Sequence, residues 1–327
     1  MYVFRYFIFF NILVFCTSYQ ESKLLKTVKK LRRNGILAMD ESIPTIAKRF
    51  SENNIKNTKL NRKKYRNLLL QTPDLNKYVS GCILYEETAT KNNLNFLKNQ
   101  GILAGIKLDE GLQKVNKNEY LTKGILNVQK KCETYKFDFA KWRSVFLISA
   151  SKENIVKNCE LLAQYASICQ QNGIVPIVEP ELLTDGNHTI YETAKLQEKI
   201  LNYMFNKFHE YNITLESMIL KTNMVVPGNS SSVASYPTQV ANLTVQTFER
   251  CVPSAVPVIA LLSGGIEEKM VFLYFKHIKK KIKKAKWYVT FSFGRALQSK
   301  CLNKWKNKKK NVYGSQKILL EKLMSIN

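Results

Sequence analysis

Apolar residues fall into short runs that alternate with longer stretches of helical spacing, from about residue 20 onward. The runs are residues 35–40 (GILAMD), 81–85 (GCILY), 102–108 (ILAGIKL), 138–148 (DFAKWRSVFLI), 174–179 (IVPIVE), 217–221 (SMILK), 256–263 (VPVIALLS) and 287–293 (WYVTFSF). Between them, segments such as 154–171 and 191–209 place apolar residues three and four apart, as amphipathic helices do. No internal repeat or Gly/Ser linker divides the series. Strand and helix in alternation predict a parallel sheet with crossover helices. Eight strands close a (β/α)8 TIM barrel, so the expected fold is α/β, a single barrel domain over residues 21–327.

In a barrel of this kind the active site is built at the C-terminal ends of the strands, so the polar residue ending each apolar run is the one to inspect. Asp40 ends the first run, Lys107 lies near the end of the third, and Lys141 and Arg143 fall in the fourth. Glu179 and Glu181 close the fifth, and Lys221 ends the sixth. Ser263, Gly264 and Gly265 end the seventh, and Gly294 with Arg295 the eighth. Lys141 and Arg143 are two residues apart, as are Glu179 and Glu181, so each pair points to one side of its strand and can face the barrel mouth. A lone charge at such a position reads first as an interior ion pair. Several of both signs at matching strand ends are harder to dismiss, because an inert interior cluster costs desolvation for little gain.

A lysine beside a second lysine inside a barrel is made nucleophilic, since like charge and desolvation both favour the neutral amine. Lys221 with Lys141 fits that description. A neutral amine attacks a ketone to give a carbinolamine, loss of water needs an acid, and the resulting iminium is an electron sink for breaking a neighbouring carbon–carbon bond. Glu179 is placed to be the acid, and Asp40 to be the separate base that takes the hydroxyl proton of the departing fragment. The chemistry needs neither a metal nor an organic cofactor. A second theme is phosphate: barrels frequently hold one on backbone N–H groups and a short helix start after the seventh and eighth strands. Glycines at 264, 265 and 294 permit close backbone approach, and Arg295 can bind oxygens bidentately.

Composition narrows the setting. With 327 residues and 45% apolar content the chain is globular, not disordered. Seven widely spaced cysteines form no C-x-x-C pair and the three histidines belong to no ligand cluster, which argues against a disulfide scaffold and a dedicated zinc site. A formal charge of +26 attracts anions, whether nucleic acid, anionic membrane or phosphorylated metabolites. Much of it sits in the runs from Lys276 to Lys286 and from Lys304 to Lys310, which read as solvated faces or as a surface for acidic protein partners. No RNP signature, zinc finger or heptad-linked basic region is present, so no specific nucleic acid is expected.

Residues 1–20 form a separate apolar N-terminal segment. Its first sixteen residues (MYVFRYFIFFNILVFC) resemble a signal peptide or membrane-proximal stretch but fall short of the ~20 needed to span a bilayer. Four sequons, at Asn187, Asn212, Asn229 and Asn242, would be open to glycosylation if the chain were secreted. The expectation is therefore cytoplasmic, with a secreted or membrane-associated form as the alternative that the segment leaves open, and the segment itself reads as a targeting sequence, a buried extension or a mispredicted start.

Six segments taken in order resemble class I fructose-bisphosphate aldolase over roughly 300 positions, from about Leu24 to the C-terminus. They are GILAMDES with IAKR (35–42, 46–49), DFAKWR (138–143), YASICQQNGIVPIVEPE (165–181), LKTNMVVPG (220–228), LLSGG (261–265) and FSFGRALQ (291–298). The resemblance implies that Lys221 forms the Schiff base and that Glu179 is its acid/base. Asp40 takes the hydroxyl proton in carbon–carbon cleavage, with Lys141 and Glu181 in support. It implies one sugar-phosphate site at Ser263, Gly264, Gly265, Gly294 and Arg295. A second is implied at Ser42, Thr45, Lys48, Arg49 and Lys107, with Arg143 under the catalytic groups. The implied activity is reversible cleavage of fructose 1,6-bisphosphate to dihydroxyacetone phosphate and glyceraldehyde 3-phosphate, in a homotetramer. Thr45 stands for Ser, Pro44 for Gly, Phe293 for Tyr and Thr222 for Pro, and the chain stops at Asn327, about where a mobile family tail ending in Tyr would begin. The alternative expectation is a catalytically weak relative kept as a binding protein with a basic surface.

Overall fold

The computed structural model describes residues 22–135, 137–282 and 286–326. The apolar segment 1–20 and part of the run from Lys276 to Lys286 therefore lie outside the described residues. Its strands are β1 (Gly35–Met39), β2 (Val79–Leu84), β3 (Leu103–Lys107), β4 (Leu112–Asn116), β5 (Glu119–Thr122), β6 (Phe139–Phe146), β7 (Val175–Leu182), β8 (Ile219–Thr222), β9 (Val258–Leu261) and β10 (Tyr288–Phe293). All but β4 and β5 form one closed, all-parallel barrel in the order β1-β10-β9-β8-β7-β6-β3-β2, with helices on the outside. This is the expected (β/α)8 barrel.

Period-two alternation along the strands explains how the barrel can be both packed and chemically active. Ile36, Ala38, Ile83, Leu103, Phe139, Val175, Ile177, Ile219, Val258 and Ala260 make a buried interior cluster, joined by Leu24, Val28 and Leu31 from a helix at residues 22–31. Each Ile, Leu, Val or Phe among them contributes about 1.5–3 kcal/mol on leaving water. Two residues further along the same strands the inward positions become Asp40, Lys141, Glu179 and Lys221, so a charged layer sits directly on the apolar one. Close packing requires missing side chains on several strands: a Cβ at Gly105 would lie 2.0 Å from the Phe139 ring, and one at Gly35 2.0 Å from the Phe291 ring.

The helices are held by their own stripes and caps. In the helix Ile190–Glu210, Ile190, Ala194, Gln197, Leu201, Met204 and Phe208 are buried at spacings of three and four. Thr189 and Glu192 form a reciprocal capping box at its start. Among the described residues no helix is long and apolar enough to cross a membrane.

Two details differ from the sequence reading. β7 runs past Glu179 to Leu182, because Glu181 is paired by Arg143 and no longer needs water. An antiparallel β4–β5 hairpin follows β3; its first strand is mostly exposed and so carries no apolar run to announce it.

Candidate active site

A cleft of ≈ 710 Å³ opens at the C-terminal ends of the barrel strands. It is lined by Asp40 just past β1, Lys107 at the end of β3, Lys141 and Arg143 on β6, Glu179 and Glu181 on β7, and Lys221 on β8. Ser263 and Gly264 after β9, and Gly294 and Arg295 after β10, form one end of its lining. Ser42, Thr45, Lys48 and Arg49, from the helix Ile43–Ser51 and its cap, also border it. Gly265 does not line the cleft. It stands one residue back in the same turn with φ +84°, beside Thr184 and Arg295, and its part is to let the chain turn.

At the centre the charges form a chain. Lys221 Nζ lies 2.9 Å from Glu179 Oε1, and Lys141 Nζ lies 3.3 Å from Glu179 Oε2 and 2.8 Å from Asp40 Oδ2. Lys221, Lys141 and Glu179 are each less than 5% exposed, so these pairs are little screened by water. Lys141 also reaches Asp109 Oδ2 at 3.4 Å. Burial alone would lower the Lys141 ammonium, but Asp40, Asp109 and Glu179 outweigh it and hold the group well above the ordinary lysine range. Lys141 is therefore a fixed cation.

The carboxylates respond in the opposite sense. Burial would raise Asp40, yet the charges of Lys141 and Lys221 and the Lys141 hydrogen bond bring it down to about 2. Asp40 is thus ionised at neutral pH and able to accept a proton. Burial would also raise Glu181, which the Arg143 charge and hydrogen bond instead hold below the usual carboxylate range. Glu179 Oε2 is buried and, among the described residues, accepts no hydrogen bond, Lys141 Nζ at 3.3 Å being an ion-pair contact. The sequence expectation of two neighbouring lysines is refined accordingly. Three carboxylates contact the Lys141 ammonium, whereas the Lys221 ammonium meets Glu179 at 2.9 Å.

The cleft margins suit phosphate. Gly294 is the N-cap and Arg295 the first residue of the helix Arg295–Trp305, whose dipole and free N–H groups face that end. Gln298 on the same helix donates to the Ala38 carbonyl at 2.6 Å and so ties this end to β1. On the Ser42 side, the Ser42 and Thr45 hydroxyls lie 3.0 Å apart, and Arg49 is ion-paired with Glu41. Pro44 falls in the first turn of its helix, where a missing N–H costs nothing. Thr222, in place of a proline, is braced instead: Gln197 Nε2 donates to its hydroxyl at 3.3 Å and to the Asn223 carbonyl at 3.0 Å. Phe293 packs on Phe291, Phe275 and Phe272, which removes the need for a phenol there.

Among the cleft residues that sequence reasoning missed are Asp109, Glu41 and Ser292. Asp109 is buried and pairs with Lys107 at 2.6 Å as well as with Lys141. Its signal was its place directly after the third apolar run, two residues beyond a lysine. Glu41 and Ser292 lie inside the segments GILAMDES and FSFGRALQ, and the buried Ser292 hydroxyl has no partner among the described residues.

The chain is similar to known proteins over most of its length. The family model "Fructose-bisphosphate aldolase class-I" matches residues 23–326. Fructose-bisphosphate aldolase 2 of Plasmodium berghei is 41% identical, the match covering 92% of this chain and 86% of that one. A cytosolic fructose-bisphosphate aldolase 4 of Arabidopsis thaliana is 40% identical over 88% of this chain and 76% of its own. Among solved structures, Plasmodium falciparum fructose-bisphosphate aldolase in complex with TRAP and a small-molecule inhibitor superposes with a TM-score of 0.91. It is 39% identical and covers 94% of this chain and 93% of its own.

Proposed function

Because the chain belongs to the class I fructose-bisphosphate aldolase family, we propose that Lys221 is its Schiff-base nucleophile, Glu179 the acid/base for the adduct and Asp40 the base for cleavage. The activity is that of a glycolytic and gluconeogenic lyase. It reversibly cleaves fructose 1,6-bisphosphate to dihydroxyacetone phosphate and glyceraldehyde 3-phosphate through a lysine Schiff base, without a metal. The observation that carries the residue roles is the buried chain Lys221–Glu179–Lys141–Asp40, with its contacts of 2.9, 3.3 and 2.8 Å, lying in one cleft with Arg295, Lys48 and Lys107.

Lys221 passes a proton to Glu179 and its free amine attacks C2 of the open-chain ketose. Glu179 returns a proton to the carbinolamine hydroxyl, which leaves as water, and an iminium forms. Asp40 then takes the C4 hydroxyl proton. The C3–C4 bonding pair moves into the iminium to give an enamine, and C4 leaves as the carbonyl of glyceraldehyde 3-phosphate. Protonation at C3 and hydrolysis release dihydroxyacetone phosphate and restore Lys221. Lys141 stays charged beside the reacting hydroxyl and lowers the cost of the developing oxyanion. Arg295, Ser263 and the backbone at Gly264 and Gly294 hold the phosphate on C1. Lys107, Lys48, Arg49, Ser42 and Thr45 hold the one on C6. A catalytically weak binding protein would have no use for this buried proton path.

The test is borohydride trapping with dihydroxyacetone phosphate in the presence of EDTA, followed by peptide mapping. One adduct on Lys221 is expected; an adduct on Lys141 or none would overturn the assignment. Family resemblance extends the reading to a cytoplasmic homotetramer, for which light scattering is expected to give the mass of four chains and a monomer mass would reject it.

A further inference from the structure

Three carboxylates surround the Lys141 ammonium, and the mechanism above employs two of them. Glu179 carries a proton while the adduct forms, and Asp40 carries one once the C4 hydroxyl has been deprotonated. During those intervals each loses its attraction for Lys141. A cation less than a twentieth exposed cannot fall back on water, so a charge must persist nearby or the ammonium becomes a proton donor to its surroundings.

We propose that Asp109 is a positioning residue whose permanent negative charge keeps Lys141 protonated and fixed while Asp40 and Glu179 take up protons. This rests on the roles assigned to Asp40 and Glu179 above. The geometry distinguishes Asp109 from its neighbours. Its Oδ1 takes Lys107 Nζ at 2.6 Å and the Gly111 N–H at 3.4 Å; its Oδ2 takes Lys141 Nζ and the Arg143 N–H, both at 3.4 Å. Four donors occupy its lone pairs, leaving none for a substrate proton. Lys107 also donates to the Asp109 carbonyl, so lysine and aspartate brace one another. Burial would raise the Asp109 carboxyl, but Lys141 and Lys107 hold it below the ordinary value.

The register makes the same connection. Lys107 on β3 lies opposite Lys141 on β6 in the barrel ladder, and Asp109 sits two residues beyond Lys107, where the chain turns toward the hairpin. One carboxylate thus links a lysine on the proposed phosphate side to the lysine at the reacting carbons. The charged groups facing Lys141 are Asp40 beyond β1, Lys107 and Asp109 at β3, Glu179 and Glu181 on β7 and Lys221 on β8. Among the three carboxylates that contact its Nζ, Asp109 alone has no part in the proton path.

The test is the pH dependence of kcat for fructose 1,6-bisphosphate cleavage in Asp109→Asn, which keeps size and removes charge. We expect kcat at neutral pH to fall about 10- to 100-fold, and a new alkaline loss to enter at least about one pH unit below any seen in the wild type, as a lost counterion requires. Asp109→Glu should return the alkaline behaviour toward wild type. If Asp109→Asn does not fold, Asp109→Ala with added formate, which can enter through the cleft, should recover activity where formamide does not. An alkaline profile unmoved in Asp109→Asn, or formate without effect on Asp109→Ala, would reduce Asp109 to an anchor for Lys107. Borohydride trapping on Lys221 in the wild type separates the failures: no trapping there rejects the underlying reading, whereas trapping with an unmoved profile rejects Asp109 alone.

Discussion

Lys221→Met is expected to lower turnover of fructose 1,6-bisphosphate by about 10⁵-fold or more, the scale seen when a covalent nucleophile is deleted. Trapping by borohydride should vanish with it. No neighbouring amine can substitute, because Lys141 is bound by three carboxylates and kept protonated above the ordinary lysine range. Methionine matches the lysine stem in length, so the apolar floor formed by Ile219, Ala260 and Ile177 stays filled. Its cost lies in Glu179, which loses the contact at 2.9 Å and keeps Lys141 at 3.3 Å. That residual pairing should limit the loss of stability to roughly 1–3 kcal/mol, less than for a fully orphaned buried charge. The checks are trapping, steady-state assay and thermal unfolding of the same sample. Binding of inorganic phosphate in the cleft should persist, since Arg295 and the Gly294 helix start are untouched. A folded variant that still forms an adduct on another lysine would refute the nucleophile assignment.

What could be read from the chain and what could not have physical causes. The eight barrel strands announce themselves because a strand covered on both sides must be apolar until it reaches the cleft. Where Lys221 or Asp40 ends such a run, it marks the functional face as well. β7 shows the limit of that logic. Glu179 looks like a strand end in one dimension, but Lys141, Lys221 and Arg143 neutralise the β7 carboxylates in three, and the strand runs on to Leu182. The β4–β5 hairpin was hidden for the opposite reason, since Lys114, Val115 and Asn116 face water and show no burial pattern. Asp109 eluded sequence reasoning because a carboxylate two residues from a lysine looks like a local surface pair. Only the β3–β6 ladder brings Lys141 to it. The Thr222 substitution looks like lost rigidity in sequence; the structure supplies the brace from Gln197, a full helix away.

Asp40→Ala is the complementary experiment, because it should divide the reaction. Adduct formation needs Lys221 and Glu179, so trapping with dihydroxyacetone phosphate should continue. Cleavage needs a base at the C4 hydroxyl, so kcat for fructose 1,6-bisphosphate should fall between about 10²- and 10⁴-fold. The pH behaviour adds a second reading. The Asp40 carboxyl stands at about 2 in the fold, against ~3.9 when unfolded, so its folded pKa is depressed. Its contribution, of order 2 kcal/mol, is complete above the unfolded value and disappears as pH falls through about 2. Stability of the wild type should therefore decline more steeply than that of Asp40→Ala between about pH 4 and pH 2, as chemical denaturation at each pH can measure. Any acid limb in wild-type kcat/KM above about pH 4 must then arise from a group other than Asp40. Turnover in Asp40→Ala within a few-fold of wild type would remove Asp40 from the cleavage step.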